Sequence, residues 1–219
     1  MPTKRTYQEA CGIPRALDRV GERWSLMIAR ELMLGPKRFT DLRTGLPHVG
    51  PDVLSQRLRD LEESGVVNRR KLPPPAASQV YELTDWGREL EQVLIALGRW
   101  GARAPAAPDG CGMSFDAHLL SLMTLFDSEL AQGFETALEL RLGEERFRAV
   151  VATHLTLERG EVDQPDAVVT TDHETLLALA HRRIGLDEAE AAGVATVDGD
   201  REAAERFFGL FTLPAPALV

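Results

Sequence analysis

The chain has only two cysteines, Cys11 and Cys111. That is too few for a disulfide framework, so a reducing compartment is expected. No apolar run approaches the roughly 20 residues that a membrane-spanning helix requires. The opening MPTKRTYQEACG lacks the apolar core of a secretory signal, so the expectation is a cytoplasmic protein with no membrane partner. Catalytic signatures are missing as well. There is no glycine-rich phosphate loop, no G-x-S-x-G elbow and no H-E-x-x-H pair, and the rear-half carboxylates show no pairing. The reading is therefore not an enzyme. The histidines at 48, 118, 154, 173 and 181 never fall four residues apart, so neither a metal site nor a cofactor is expected.

What the chain does have is a division of charge. Its net charge is −9 over 219 residues. Residues 1–103 carry 17 Lys+Arg and 13 Asp+Glu, a net of +4, whereas residues 104–219 carry 8 and 21, a net of −13. A basic front half and an acidic rear half point to two domains with different partners, and confine any contact with nucleic acid to the front.

The stretch from Phe39 to Lys71 reads as a short helix, a turn, a second helix and a basic strand. In the second helix Gly50 can serve as N-cap, Pro51 occupies the first position and Asp52 suits the positive end. Gly65 ends it. Leu54, Leu58 and Leu61 form one buried stripe, with Asp52, Ser55, Gln56, Arg59 and Glu63 opposite. Before this pair lie helices at 14–21 and 24–35. After it, strands at Val66–Leu72 and Gln79–Leu83 flank a proline-rich loop, forming a wing, and Thr84 opens a long helix to about Gly101. That sum is a winged helix. An exposed polar face is usually only solvated, but the flanking wing and paired helix make this one a recognition helix, with Ser55, Gln56 and Arg59 reading base edges in a major groove. Arg38, Arg43, Arg69, Arg70 and Lys71 are the phosphate candidates. Trp24, Trp86 and Trp100 adjoin apolar stripes and read as core or packing residues.

The blocks CGIPRALDRVGERWSLMIARELMLGPKRFTDLR, LSQRLRDLEESGVV, PPPAASQVYELTDWGREL and LIALGRWG occur in the order found in the HxlR-type winged-helix regulators, which residues 8–103 resemble. The resemblance implies a dimeric DNA-binding repressor or activator, with the N-terminal segment and the 84–101 helix forming the dimer contact. It also implies that Cys11 stands at a cysteine that senses oxidants or electrophiles in some members. Read from its neighbours Lys4, Glu9 and Arg15 alone, Cys11 is either a thiol activated by nearby cations or a small, partly buried apolar residue.

Residues 104–112 read as an Ala/Pro/Gly-rich linker between a 1–103 domain and a 113–219 domain. The rear domain shows an apolar helix at 115–130 and strands at Phe134–Leu142, Arg146–Thr153, Leu155–Arg159 and Asp166–Thr170. A helix boxed by Thr171 and Glu174 follows, then a short helix, a strand through VATVDGD and a terminal helix capped near Asp198 or Asp200. The order PDAVVTTDHETLLALAHRR, VATVDGD and FFGLF resembles the sterol carrier protein-like fold over residues 115–213. That resemblance implies a helix-covered sheet with an apolar tunnel, and an α+β fold class for the chain. It departs from that family at His181-Arg182-Arg183, where a small-residue turn is common, and at the charged strand positions Glu139, Arg141 and Arg148. Leu119, Leu122, Met123, Phe126, Phe134, Phe147, Phe207, Phe208 and Phe211 are either plain core or the lining of a cavity. Because the domain is acidic, a neutral or cationic hydrophobic ligand suits it better than an anionic headgroup.

Together these readings predict a homodimeric regulator of an inverted-repeat operator whose rear domain binds a small hydrophobic effector. The alternative is a rear domain that is a structural, dimerisation or lipid-carrier module, with DNA binding constitutive or controlled through Cys11.

Overall fold

The computed structural model describes residues 6–74, 77–105 and 112–217. The chain forms two compact units, Met1–Leu94 and Ile95–Val219, with the division inside a helix. The expected linker at 104–112 lies mostly outside the described residues, as do Lys4 and Cys111.

The first unit opens with α1 (Gly12–Val20), α2 (Ser25–Leu32), α3 (Phe39–Gly45) and α4 (Pro51–Glu63). A two-stranded antiparallel hairpin follows, β1 (Val67–Lys71) and β2 (Gln79–Leu83), and then α5 (Asp85–Arg88). Ile28, Leu32, Leu42, Leu54, Leu58, Leu61, Val66 and Leu83 share its core. The helix expected from Thr84 to Gly101 is interrupted at Glu89, between α5 and α6 (Leu90–Gly101). Glu89 keeps angles in the right-handed helical region (φ −60°, ψ −18°). Gly87, just before it, is pressed against the Val66 carbonyl, where a Cβ would collide.

Glu31 is the one carboxylate of this unit that is fully buried among the described residues. It accepts from Lys37 Nζ at 2.7 Å and from an Arg30 guanidinium nitrogen at 2.8 Å. Lys37 in turn bridges to the hairpin: its N–H donates to Tyr81 O at 2.9 Å and its carbonyl accepts from Tyr81 N at 2.8 Å. Gly45, at the end of α3, leaves no room for a Cβ against the Glu31 carboxylate.

The second unit contains α7 (Phe115–Leu125), β3 (Thr136–Leu142), β4 (Glu145–Val151), β5 (Leu155–Arg159) and β6 (Ala167–Thr171). These lead into α8 (His173–Ala180), α9 (Leu186–Ala191), β7 (Ala195–Gly199) and α10 (Arg201–Phe208). The sheet runs β5-β4-β3-β6-β7, with β3 and β6 parallel and the other pairs antiparallel. Alternation places Leu138, Leu140, Phe147, Ala149 and Val169 on one face, all fully buried, with α7 and α10 packed over the sheet. The charged strand residues lie on the other face as cross-strand ion pairs. Glu139 accepts from Arg141 at 2.6 Å and Arg146 at 3.3 Å, and Arg148 pairs with Glu158. The chain is thus α+β, a helix-turn-helix unit followed by a sheet-containing domain.

Two boundaries differ from expectation for long-range reasons. Helix α7 stops at Leu125 rather than residue 130, because the C-terminal segment pairs with the residues that follow. Asp127 N donates to Leu210 O at 2.8 Å, Thr212 N donates to Leu125 O at 2.9 Å, and Phe126 bridges Phe211. Helix α8 is capped by Asp172, which accepts from Thr175 N at 2.8 Å, and not by Thr171, which ends β6 opposite Ala195. Asp200 caps α10.

Titration of the second unit has a definite sign. Burial lowers the pKa of His118, His173 and His181; His173 adds to the effect on His118, and Arg183 and His118 add to it on His181. At His173 the carboxylates of Glu145, Asp172 and Asp116 act the other way without reversing it. Burial tends to raise the Glu139 pKa, but hydrogen bonds from Arg141, Val162 N and Arg146 carry it below the ordinary value. The hydrogen bonds of Asp166 to Ala137 N and of Asp172 to Thr175 N lower theirs too. For both kinds of group the unfolded chain takes up protons first as pH falls. Stability is therefore full above the ordinary histidine pKa of about 6.5, declines below it, and declines further through the carboxylate range near pH 4. The urea midpoint of strands β3–β7, followed by amide hydrogen exchange, should be lower at pH 5.5 than at pH 8. In a variant with all three histidines changed to Gln that difference should shrink, and an unchanged difference would refute the assignment.

For the first unit, Glu31→Ala leaves Lys37 with its charge partly buried and should cost about 3–5 kcal/mol. Circular dichroism melting should show the loss as a drop of more than about 10 °C in the first unit's transition.

Candidate nucleic-acid interface

Helix α4 begins as its sequence dictates. Gly50 is an extended N-cap (φ −62°, ψ 145°), Pro51 takes the first position and Asp52 the first turn. It ends in a Schellman turn. Gly65 has φ +74°, its N–H donates to Glu62 O at 3.0 Å, and Val66 N donates to Leu61 O at 2.9 Å. Leu54, Leu58 and Leu61 face the core, leaving the opposite side to solvent.

On that side Gln56 and Arg59 are exposed and Ser55 half-buried. Gln56 Nε2 donates to Asp60 at 2.9 Å, and its Oε1 accepts from Arg59 at 2.8 Å. The amide and guanidinium, one turn apart, therefore hold each other extended along the helix surface. Arg57, also on α4, is not on this face: it pairs with Asp60 and, at 3.2 Å, with Glu22. Glu62 and Glu63 expose negative charge at the C-terminal end. On the solvent side of α4 the unpaired positive charge is that of Arg59, with Asp52 exposed in the first turn and Glu62 and Glu63 at the end.

The basic candidates lie on the elements before and after α4 in the chain, α3 and the hairpin. Arg38 is the exposed N-cap of α3, its N–H donating to Asp41 at 3.0 Å, and Arg43 is exposed on the same helix. On the hairpin, Arg69 hydrogen-bonds Gln79 and stacks over Tyr81, 5.8 Å from the ring centroid. Arg70 donates to Glu82 at 2.7 Å. Lys71, like Arg38 and Arg43, has no side-chain partner among the described residues. Arg69 and Arg70 project from opposite faces of β1, because neighbours on a strand alternate. The run reads as one patch in sequence but splits in the fold. The residue that sequence reasoning missed is Glu31, three positions after buried Ile28 on an apolar helix face, where an acid needs a partner.

Cys11 is exposed at the N-cap of α1. Trp24 is half-buried against the first core, whereas Trp86 (52%) and Trp100 (74%) stand largely in solvent.

In the second unit Leu119, Leu122, Met123, Phe126, Phe134, Phe147, Phe207 and Phe211 are all buried, as is Phe208. Phe207 packs edge-on against Phe208 and Phe211 at 5.3 and 5.2 Å. Of the nine residues named as core or lining, Phe211 borders a cleft of about 280 Å³ and Phe208 one of about 310 Å³. Among the described residues no three His, Cys, Asp or Glu side chains converge to hold a metal, and no helix is long and apolar enough to cross a membrane.

Comparison with known proteins separates the same two regions. Residues 19–107 match the family described as HxlR-like helix-turn-helix, and residues 111–217 match the family described as alkyl sulfatase C-terminal. The chain is 36% identical over 86 residues to YvaP of Bacillus subtilis, an uncharacterized HTH-type transcriptional regulator, covering 39% of this chain and 80% of that one. It is 34% identical over 85 residues to the HTH-type transcriptional regulator YodB of the same organism, covering 39% and 76%. Among solved structures, the redox regulator HypR in its oxidized form shares 31% identity over 42% of this chain and 94% of that chain, with a TM-score of 0.39. With a helix-turn-helix in place and relatives of this identity matched over most of their length, the chain belongs to the HxlR-like helix-turn-helix family of transcriptional regulators.

Proposed function

We propose that the protein is a homodimeric, non-enzymatic transcription regulator that reads an inverted-repeat operator through α4 and is modulated by a small effector bound in its C-terminal domain. The observation that carries the reading is α4 itself: leucines behind, Ser55, Gln56 and Arg59 in front, and a basic hairpin after it. Gln and Arg present paired donors and acceptors that match adenine and guanine edges. Arg38, Arg43, Arg69, Arg70 and Lys71 supply phosphate contacts, which fix register and make binding fall steeply with salt.

Dimerisation is supported by apolar surface that this chain alone leaves uncovered. Helix α6 exposes Val93, Leu97 and Trp100 at positions i, i+4 and i+7, and has no buried residue. Helix α1 exposes Ile13 (72%) and Leu17. A two-fold axis would bury such a stripe against its own copy and set two α4 helices about one turn of DNA apart. The C-terminal sheet with its helices supports a sterol carrier-like module, and a domain of that kind provides somewhere for an effector to act. The packed state of its core favours a second reading, a structural module with constitutive DNA binding. Exposed Cys11 offers a separate point of control, and unchanged operator affinity after its alkylation would remove it.

Operator fragments selected from genomic DNA by the purified protein allow the test. By fluorescence anisotropy, Arg59→Ala should weaken specific binding by about 10- to 100-fold, the worth of one bidentate base contact. Lys71→Ala should weaken all sequences alike and reduce the salt slope by about 1. If neither changes affinity, α4 and the wing are not the DNA face. In sedimentation velocity, Leu97→Glu should convert dimer to monomer while leaving the melting of each unit intact. A dimer that persists would place the interface elsewhere.

A further inference from the structure

The acidic domain uses its positive charge unevenly. Of its eight arginines, Arg141, Arg146, Arg148, Arg159 and Arg201 are paired with carboxylates. Arg206 lies over the Phe134 ring at 4.3 Å. Arg182 and Arg183 have no carboxylate partner among the described residues: Arg182 donates to Gly209 O, and Arg183 lies 3.4 Å from His181 Nδ1. In a region with 21 acidic residues, two adjacent guanidiniums make no ion pair among the described residues, and Glu188 is the unpaired carboxylate that shares their cleft.

Both line one cleft of about 310 Å³, whose apolar walls are Leu179, Ile184, Leu186 and Phe208. Its two carboxylates are Glu205, already 3.0 Å from Arg201, and Glu188. Arg182 also lines the neighbouring cleft with Leu125, Phe211, Leu213 and His181. The Nε2 of His181 is buried with no hydrogen-bond partner.

The backbone adds a separate observation. Helix α8 ends in a Schellman turn, with Arg182 N donating to Leu179 O at 3.0 Å and Arg183 N to Ala178 O at 2.8 Å. The left-handed position in that motif is normally glycine. Here Arg182 occupies it, with φ +54°. A side chain held in a conformation that disfavours it, at the wall of a cleft, marks a place where the surroundings fix its direction.

We propose that this cleft binds a small organic carboxylate carried on a short apolar chain or ring, with Arg182 and Arg183 receiving the carboxylate and Leu179, Ile184, Leu186 and Phe208 the apolar part. Guanidinium matches a planar carboxylate through paired donors, and the cleft volume is at the small end of ligand sites. The inference deepens the effector reading and rests on it for regulation, though not for binding.

Octanoate, octanol and octylammonium distinguish the head groups at equal chain length. In isothermal titration calorimetry of the full-length protein, octanoate should bind at least about tenfold more tightly than either. Arg183 is exposed and makes no backbone contact with its side chain, so Arg183→Gln tests the site without disturbing the fold. It should weaken octanoate about tenfold while leaving the melting temperature unchanged and octanol binding unaltered. Arg182→Gln should weaken it further. No octanoate binding, equal binding of all three probes, or an Arg183→Gln variant with unchanged affinity would overturn the site. Operator affinity is measured separately with and without saturating octanoate. Binding that leaves it unchanged overturns effector control and leaves the site standing.

Discussion

The buried carboxylate of Glu31 is the constraint on which the DNA-reading unit depends. An unpaired charge in that core would cost several kcal/mol, so Glu31 must keep Lys37 and Arg30 against it. Holding Lys37 in place also holds the two backbone hydrogen bonds from Lys37 to Tyr81, and through them the hairpin. Gly45 closes over the same carboxylate from the end of α3. One side chain thus fixes α2, the end of α3 and the wing relative to one another within this unit. A reader of base edges needs that rigidity, because bidentate contacts lose their worth when helix and wing move independently.

The elements that can be read from local sequence are those whose signals are local. Gly50, Pro51 and Gly65 mark the ends of α4, and its leucines mark the buried side, so both the element and its orientation follow directly. The same holds for β5 and for the strand alternation of Leu138 and Leu140. What local pattern misses is pairing at long range. The residues after Leu125 look helical until Leu210 and Thr212 take their backbone groups. Thr171 looks like a cap until β7 claims it for the sheet. The Arg69–Lys71 run looks like a single anchor until strand geometry sends its members to opposite faces. In the rear domain the apolar residues were legible as buried, but periodicity cannot distinguish a residue that fills a core from one that lines a cavity, and here all nine are buried.

Net charge misleads for a related reason. A domain at −13 argues against an anionic ligand only if its positive charges are all engaged. Most are, in ion pairs around buried Glu139 and between exposed partners on the strands and at the start of α10, and the exposed pairs contribute little to stability. Their effect is to engage the strands' charges and leave Arg182 and Arg183, with Glu188 beside them, as the groups at the cleft outside those ion pairs. The departure from the small-residue turn at 181–183 therefore carries information. Glycine would satisfy the backbone there at lower cost, and arginine adds a charge at the cleft wall.

Helix α6 carries the chain from the first unit into the second, where its end is held by several contacts. Arg99 donates to the Thr124 carbonyl at 3.0 Å and to that of Phe126, capping the end of α7. Arg103 donates to Ala215 O at 3.0 Å and accepts from Ala217 N at 2.8 Å. Leu125 and Phe126 are in turn bound to Phe211 and Thr212, next to Gly209, the acceptor for Arg182. Cleft wall, C-terminal segment and the last turn of α6 are thus connected by hydrogen bonds within one unit, while Leu90 and Leu94 of the same helix pack on the core of the other. A ligand that only fills the cleft changes nothing at the operator. Regulation requires that it bind one arrangement of this chain of contacts more tightly than another, and a factor of ten in operator affinity needs about 1.4 kcal/mol of that difference. Arg182 touches both ends of that chain: one of its guanidinium nitrogens donates to Gly209 O and its other N–H groups remain for a carboxylate, so a ligand that shifts the guanidinium also shifts its hold on the C-terminal segment.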